Sequence, residues 1–314
     1  MKSKEEKRAV GCLLGQLAGD ALGSLVEFES PQAIEQMYPD GVRDLADGGT
    51  WNTVAGQPTD DSELALMLAR TLVKCGTYDS AKTQKAYLFW LNSDPFDCGT
   101  TTFQGLQGHP NSKSQSNGAL MRISPLGIFG AHRPSHQIAE WARQDALLTH
   151  PHPICQQSNA LFAVALAHAI RTGCKAPALY RQIKKWAKQM KIKRSLLRVI
   201  DAAVSSPPSD YVYHEGYVLI AFQNALWQLL HASGPEDGIT NTVKRGGDTD
   251  TNAAICGALL GAVYGQDAIP TRWVDKLLNC RPAKGELNVQ QPRPKCFWPV
   301  DAVELATQLL VASS

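Results

Sequence analysis

Residues 5–25, EEKRAVGCLLGQLAGDALGSL, decide the fold. Val10, Leu13, Leu14, Leu17, Ala18, Ala21 and Leu22 recur at three- and four-residue spacing, which predicts a helix with an apolar stripe. Gly11, Gly15, Gly19 and Gly23 recur every four residues along a second face. A glycine inside a helix costs roughly 1 kcal/mol relative to alanine. A whole row of them therefore predicts another helix lying very close against this one. Glu5 and Glu6 break what would be a positive leader, and Gln16 and Asp20 interrupt the apolar run. The segment thus belongs to the fold and is not a signal peptide. Glu27 follows just past the predicted helix end and, read alone, is a solvated loop carboxylate.

A second stretch carries the chemistry. Gly246-Gly247-Asp248-Thr249-Asp250-Thr251 opens an apolar run at 252–264 that reads as a buried helix. The glycine pair permits a turn that residues with a Cβ resist. Asp248 and Asp250 are two residues apart, too close in sequence to be neighbours on a helix face. If they converge, a positive charge must draw them together, and a divalent cation is the economical choice.

The whole chain sets the bounds. Its 314 residues are ample for a buried core, and 44% apolar with 19% charged residues is ordinary for a globular enzyme. A formal net charge of +2 gives no global electrostatic case for nucleic acid or membrane binding. No run approaches the ~18 apolar residues of a membrane span. The eight cysteines form no CxxC pair, which reads as reduced thiols in a cytoplasmic protein.

Between the two decisive stretches lie further helices. After a Pro/Gly-punctuated loop, Thr59-Asp60-Asp61-Ser62-Glu63 leads into the run 64–73, with Thr59 placed to cap it and acids suited to the helix dipole. Alone, that pattern is no more than capping. Residues 84–91 read as helix, 95–101 as a turn, and Ser116-Asn117-Gly118-Ala119 as a tight turn before a helix over 120–129. Such a turn can present backbone N–H groups to phosphate or ribose oxygens. His150 and His152, flanked by prolines, lack further ligands at a zinc spacing. Helices follow at 155–170, twice within 176–204, at 215–231, 235–245 and 300–312. Eight Lys/Arg between 181 and 198 read as a solvated face, with an acidic protein partner as the sharper alternative. Tyr217, Phe222 and Trp227 read as core. No sustained alternating run with β-branched enrichment occurs, so no sheet is expected. The expectation is one all-α domain over residues 1–314, a compact multi-helix orthogonal bundle.

Thr59-Asp60-Asp61 and Asp248-Thr249-Asp250-Thr251 make a pair, each opening a helix and each offering only carboxylate and hydroxyl oxygens. Such donor sets favour Mg²⁺, Mn²⁺ or Ca²⁺ over zinc or copper. Four aspartates exceed what one cation needs for neutralisation, which points to a two-metal cleft.

The chain resembles the ADP-ribosylglycohydrolase family over nearly its whole length. The resemblance is carried by Gly19-Asp20-Ala21-Leu22-Gly23 with Glu27-Phe28, Thr59-Asp60-Asp61-Ser62, Asp97-Cys98-Gly99, residues 116–122, Thr149-His150 and residues 246–251. It implies an all-helical domain with two Mg²⁺ or Mn²⁺ ions held by Thr59, Asp60 and Asp61 from one side and by Asp248, Asp250 and Thr251 from the other. It implies that Glu27 also reaches the metals as a gate, against the bland reading above. By the same resemblance, Asn117, Gly118 and Met121 line an ADP-ribose groove and His150 lies beside the distal ribose. Asp97 and Gly99 border the pocket, and Tyr217 stacks on the adenine side. The implied reaction removes ADP-ribose from modified protein, most simply from arginine, with Asp61 or Asp97 moving a proton. Two departures stand out: Ser62 where many relatives have threonine, and the bulky cation Arg245 just before the glycine pair. Neither removes a ligand. The expected enzyme is a monomer that handles ADP-ribosylated protein and has no membrane or nucleic-acid partner. Other ADP-ribose linkages (serine, O-acetyl-ADP-ribose, nucleic acid) stay open, as does a non-catalytic protein that neutralises an ADP-ribosylating toxin.

Overall fold

Ser3 caps the first helix, its hydroxyl accepting from the Glu6 amide at 3.1 Å, with Glu5 and Glu6 where the helix dipole favours acids. This helix, α1, runs Lys4–Gly23. The structure is a computed structural model describing residues 2–312. Downstream lie α2 (Pro31–Met37), α3 (Asp60–Cys75), α4 (Ser80–Leu91), α5 (Thr100–Leu106), α6 (Ser124–Phe129), α7 (Ser135–Leu147) and α8 (Pro153–Thr172). Then come α9 (Ala176–Gln189), α10 (Arg194–Ala202), α11 (Val218–His231), α12 (Pro235–Val243), α13 (Thr249–Tyr264), α14 (Thr271–Asn279) and α15 (Ala302–Ala312). Among the described residues there is no sheet, only two isolated bridges, Gly48 with Thr53 and Ser116 with Tyr217. The fold is all-α, as expected.

The glycine row of α1 finds its partner in α13. A Cβ on Gly15 would stand 2.2 Å from the Gly257 carbonyl oxygen, and one on Gly19 would stand 2.1 Å from that of Ala253. The contact is reciprocal, because Gly257 and Gly261 press equally on the Gly15 and Gly11 carbonyls. Two backbones therefore touch along the middle of the molecule. Helices α11 and α12 pack on α13, and α6, α8 and α15 pack on α1. Apolar nearly all round, α13 is buried from Thr249 to Ala262.

Several boundaries differ from the sequence reading. Residues 118–122 form turns, because the Leu120 and Met121 amides both bond the Asn117 carbonyl; the helix begins only at Ser124. Residues 215–217 stay outside α11, because Gly216 takes φ +73°. Helices also form at α2, within the loop after Glu27, and at α5, out of the turn near Gly99. The basic segment of α9 and α10 is a solvated face, with Lys184 bridged to Asp201 at 2.7 Å. Phe222 is core, whereas Tyr217 and Trp227 are only half-buried. No described helix is long and apolar enough to cross a membrane.

Candidate active site

Thr59 occupies the N-cap position of α3, but its hydroxyl caps nothing. It donates instead to Asp20 Oδ1 at 2.9 Å and lies within 3.5 Å of Asp61 and Asp250 oxygens. The cap comes from another helix. Asp20, fully buried on α1, accepts from the Thr59 amide at 3.2 Å and the Ser62 amide at 3.1 Å. Sequence reasoning missed this role, although an acid inside a buried apolar run was the available signal. Burial outweighs those hydrogen bonds and pushes the Asp20 carboxyl up to about 6.

At the other helix, Gly246 and Gly247 take φ +73° and +71°. The Gly247 amide donates to the Glu29 carbonyl at 3.0 Å, and the Phe28 amide donates back to the Gly247 carbonyl at 2.8 Å. This pairing brings Glu27 over the start of α13. Glu27, Asp248 and Asp250 each offer an oxygen, all within 4.8 Å of one another, and all three are buried. Glu27 is therefore not the solvated loop carboxylate that local reading suggests. Each of these acids is held. Glu27 Oε2 accepts from the Trp51 indole at 2.6 Å, and Asp248 Oδ2 accepts from the Asn117 amide group at 2.6 Å. Asp250 Oδ1 accepts from the Thr251 amide at 2.8 Å, and the Thr251 hydroxyl donates to Asp61 Oδ2 at 3.2 Å. Trp51 carries no signal in the sequence, because it lies in a loop and belongs to none of the motifs.

The electrostatics follow from burial without compensation. Asp61 and Asp250 are pushed well above the carboxylate range by burial and then by neighbouring acids. Glu27 rises to about 8 through burial and Asp248. Asp97 rises to about 11 through burial and the neighbouring Asp60 carboxylate. The buried ion pairs lie elsewhere, Arg122 with Asp145 and Arg293 with Glu63. Asp61 Oδ1 is buried with no partner at all. An orphaned carboxylate oxygen among crowded acids and hydroxyls is the donor set of a hard divalent cation, and the site can hold one.

These groups face a cavity of about 340 Å³. Glu27, Asp60, Asp97, Gly99, Asn117, Gly118, Met121, His150, Asp248, Asp250 and Thr251 line it. Thr59 and Asp61 sit behind them, joined through the hydrogen bonds above. Tyr217 does not line the cavity; its hydroxyl donates to Gln115 at 3.1 Å, while its neighbours Glu215 and Gly216 reach the mouth. Gly99 donates its amide to Asp60 at 3.2 Å. Gly118 leaves room for the His150 ring, since a Cβ there would stand 3.0 Å from Cε1. His150 is fully buried between Thr149 (2.7 Å) and Ser116 (2.9 Å), and burial holds its pKa well below the usual value, so it stays neutral. His152 serves α8 as its cap.

Arg122 organises this wall from behind. Fully buried, it donates to Asp145, to the Gly118 carbonyl at 3.1 Å and to Thr149 at 2.9 Å, and its guanidinium lies over the Tyr87 ring. Arg245, by contrast, turns away from the cavity toward Asn241, so the bulky cation beside the glycine pair does not crowd the acids.

Comparison with known proteins agrees with this geometry. The family model described as ADP-ribosylglycohydrolase matches residues 1–296. The chain is 32% identical to an ADP-ribosyl-[dinitrogen reductase] glycohydrolase of Rhodospirillum rubrum, over 86% of this chain and 90% of that protein. It is 31% identical to the ADP-ribosylarginine hydrolase Tri1 of Pseudomonas putida (strain GB-1), over 86% of this chain and 74% of that one. A solved structure titled as an ADP-ribosylglycohydrolase-related protein complex superposes with a TM-score of 0.80 at 28% identity, covering 99% of both chains. Sequence, fold and pocket thus converge on one conclusion: the chain is a hydrolase belonging to the ADP-ribosylglycohydrolase family.

Proposed function

We propose that the enzyme releases ADP-ribose from modified protein, with arginine as the acceptor, and that it works with two Mg²⁺ or Mn²⁺ ions. The observation that carries this is the convergence of Glu27, Asp248 and Asp250 oxygens within 4.8 Å at one cavity. The names of the Rhodospirillum and Pseudomonas relatives support the substrate class, and the second supports arginine. In this reading Thr59, Asp60 and Asp61 hold metal from α3, and Asp248, Asp250 and Thr251 hold it from α13, with Glu27 closing the set. Divalent ions held there would supply Lewis acidity, lowering the pKa of a water at the cleft.

The chain's own residues do the rest. Asn117, Gly118 and Met121 line the ADP-ribose groove, and neutral His150, its two ring nitrogens engaged by Thr149 and Ser116, lies beside the distal ribose and holds the Ser116 hydroxyl there. Gly99 borders the same groove, while Tyr217 stays outside the cavity and bears on it only through its neighbours Glu215 and Gly216. Cleavage at the anomeric carbon builds oxocarbenium character, which crowded carboxylates stabilise. Arginine must leave as neutral guanidine, because its anion is inaccessible. Asp97, which lines the cavity beside Asp60, moves the proton; Asp61, enclosed behind, is the alternative relay. Eight free cysteines support a reducing, cytoplasmic setting, and we read the enzyme as a monomer.

The test is a release assay on arginine-ADP-ribosylated protein with Mn²⁺, with Mg²⁺ and with chelator. Release in the metal-loaded samples alone is expected. No release under any condition overturns the reading.

A further inference from the structure

Two residues at the mouth of the cavity have no part in the chemistry above. Phe28 holds φ +66°, a left-handed backbone that a bulky residue keeps only under constraint, and its side chain is exposed. The constraint is the glycine pair. A Cβ on Gly246 would stand 2.5 Å from the Glu29 carbonyl oxygen, and one on Gly247 would stand 1.9 Å from that of Tyr211. The pair is thus wedged between the Phe28–Glu29 turn and the loop that carries Tyr211 onward to Glu215. In that loop Gly216 sits over the acids, where a Cβ would lie 3.6 Å from Asp248 Oδ2. One turn therefore fixes both Phe28 and Glu215 at the cavity that holds Asp248.

We propose that Phe28 and Glu215 form a cation-binding subsite for the acceptor, which selects a guanidinium over uncharged acceptors. An exposed aromatic face and an exposed carboxylate are the two partners a planar guanidinium takes, by stacking and by paired hydrogen bonds. A hydroxyl-linked acceptor gains from neither. The left-handed backbone of Phe28, held by the bond from its amide to the Gly247 carbonyl at 2.8 Å, keeps its residue at the cavity. The subsite rests on the arginine reading given above.

The test compares wild type, Glu215→Gln and Phe28→Leu on arginine-linked ADP-ribose and on O-acetyl-ADP-ribose, separating KM from kcat. Glu215→Gln should raise KM for the arginine linkage about tenfold with kcat nearly unchanged, and should leave the uncharged acceptor unaffected. Phe28→Leu should do the same more weakly. Equal losses on both substrates, or no change on either, overturn the subsite. Calorimetric binding of agmatine to the ADP-ribose-loaded protein reads the subsite without turnover. Agmatine binding that Glu215→Gln weakens, in an enzyme that releases no ADP-ribose, sinks the reaction and keeps the subsite. Normal release with agmatine binding indifferent to Glu215→Gln sinks the subsite and keeps the reaction.

Discussion

Gly23 on α1 lies against Asp250 on α13 with no room for a side chain, since a Cβ there would stand 2.4 Å from the Asp250 Cα. The last glycine of the row therefore sets the position of a carboxylate in the active site. Gly23→Ala must push backbone rather than a flexible side chain, so a loss of about 3 kcal/mol is expected. Urea unfolding measures the loss, and a Mn²⁺ titration should show weakened binding in whatever fraction remains folded. Unchanged stability would mean the helices are not tightly engaged.

Asp20→Asn replaces an acceptor that serves two amides and a hydroxyl with a group that also carries donors. We expect a cost of about 1–2 kcal/mol, typical of a lost cap. Because Asp20 orients Thr59 and the residues after it, metal affinity should also drop about 10–100-fold, as for other groups that position ligands. Calorimetric titration with Mn²⁺ checks the second effect.

Asp250→Ala should have opposite consequences with and without metal. The carboxyl is buried among like charges that push its pKa well up. Its removal should stabilise the metal-free protein by about 1 kcal/mol. The same change should abolish both the stabilisation by Mn²⁺ and the release of ADP-ribose. Melting curves with Mn²⁺ and with chelator separate the two outcomes; a destabilised metal-free variant would contradict the electrostatic account.

The pH dependence of the metal-free protein has a definite sign. Glu27 rises in the fold from its ordinary 4.5 to about 8. Between those values the folded protein holds a proton that the unfolded chain has lost, so stability falls as pH rises. In chelator, the melting temperature should decline from about pH 5 to about pH 8. Bound metal stabilises the ionised carboxylates, so the Mn²⁺-loaded protein should show a flatter profile over the same range.

Arg122→Lys keeps the buried positive charge beside Asp145 but loses the fork that reaches the Gly118 carbonyl and Thr149. The variant should fold, less stably by about 1–3 kcal/mol. With Thr149 released, His150 loses its fixed orientation, and KM for the ADP-ribosylated substrate should rise more than kcat falls. Arg122→Met, which strands Asp145, should cost about 3–5 kcal/mol.

Much of this is legible in the amino-acid sequence. The glycine row announces a close helix, the apolar run after Thr251 announces a buried one, and oxygen-only donors at both acidic motifs announce an acidic cluster that could hold a metal. Locally ambiguous residues are less legible. Glu27 looked like a solvated acid, because nothing near it in sequence shows that Trp51 and Asp248 will meet it. Thr59 looked like a cap, because the chain gives no local sign that Asp20 takes that task from α1. The start of α11 lies later than the pattern predicts, because Gly216, at φ +73°, is held by its contacts with Asn117 and Asp248.

The residues by themselves determined what depends on near neighbours: helical period, glycine spacing, turn chemistry and the kinds of ligand atom on offer. Only the tertiary structure decided which helix answers the glycine row, and that Glu27, Asp61 and Asp250 face one another. The reason is physical. Local pattern is governed by a few adjacent dihedrals and side chains, whereas the site joins residues from opposite ends of the chain. Their meeting is set by backbone contact between α1 and α13, and it is the packing of the whole core that holds those buried acids together.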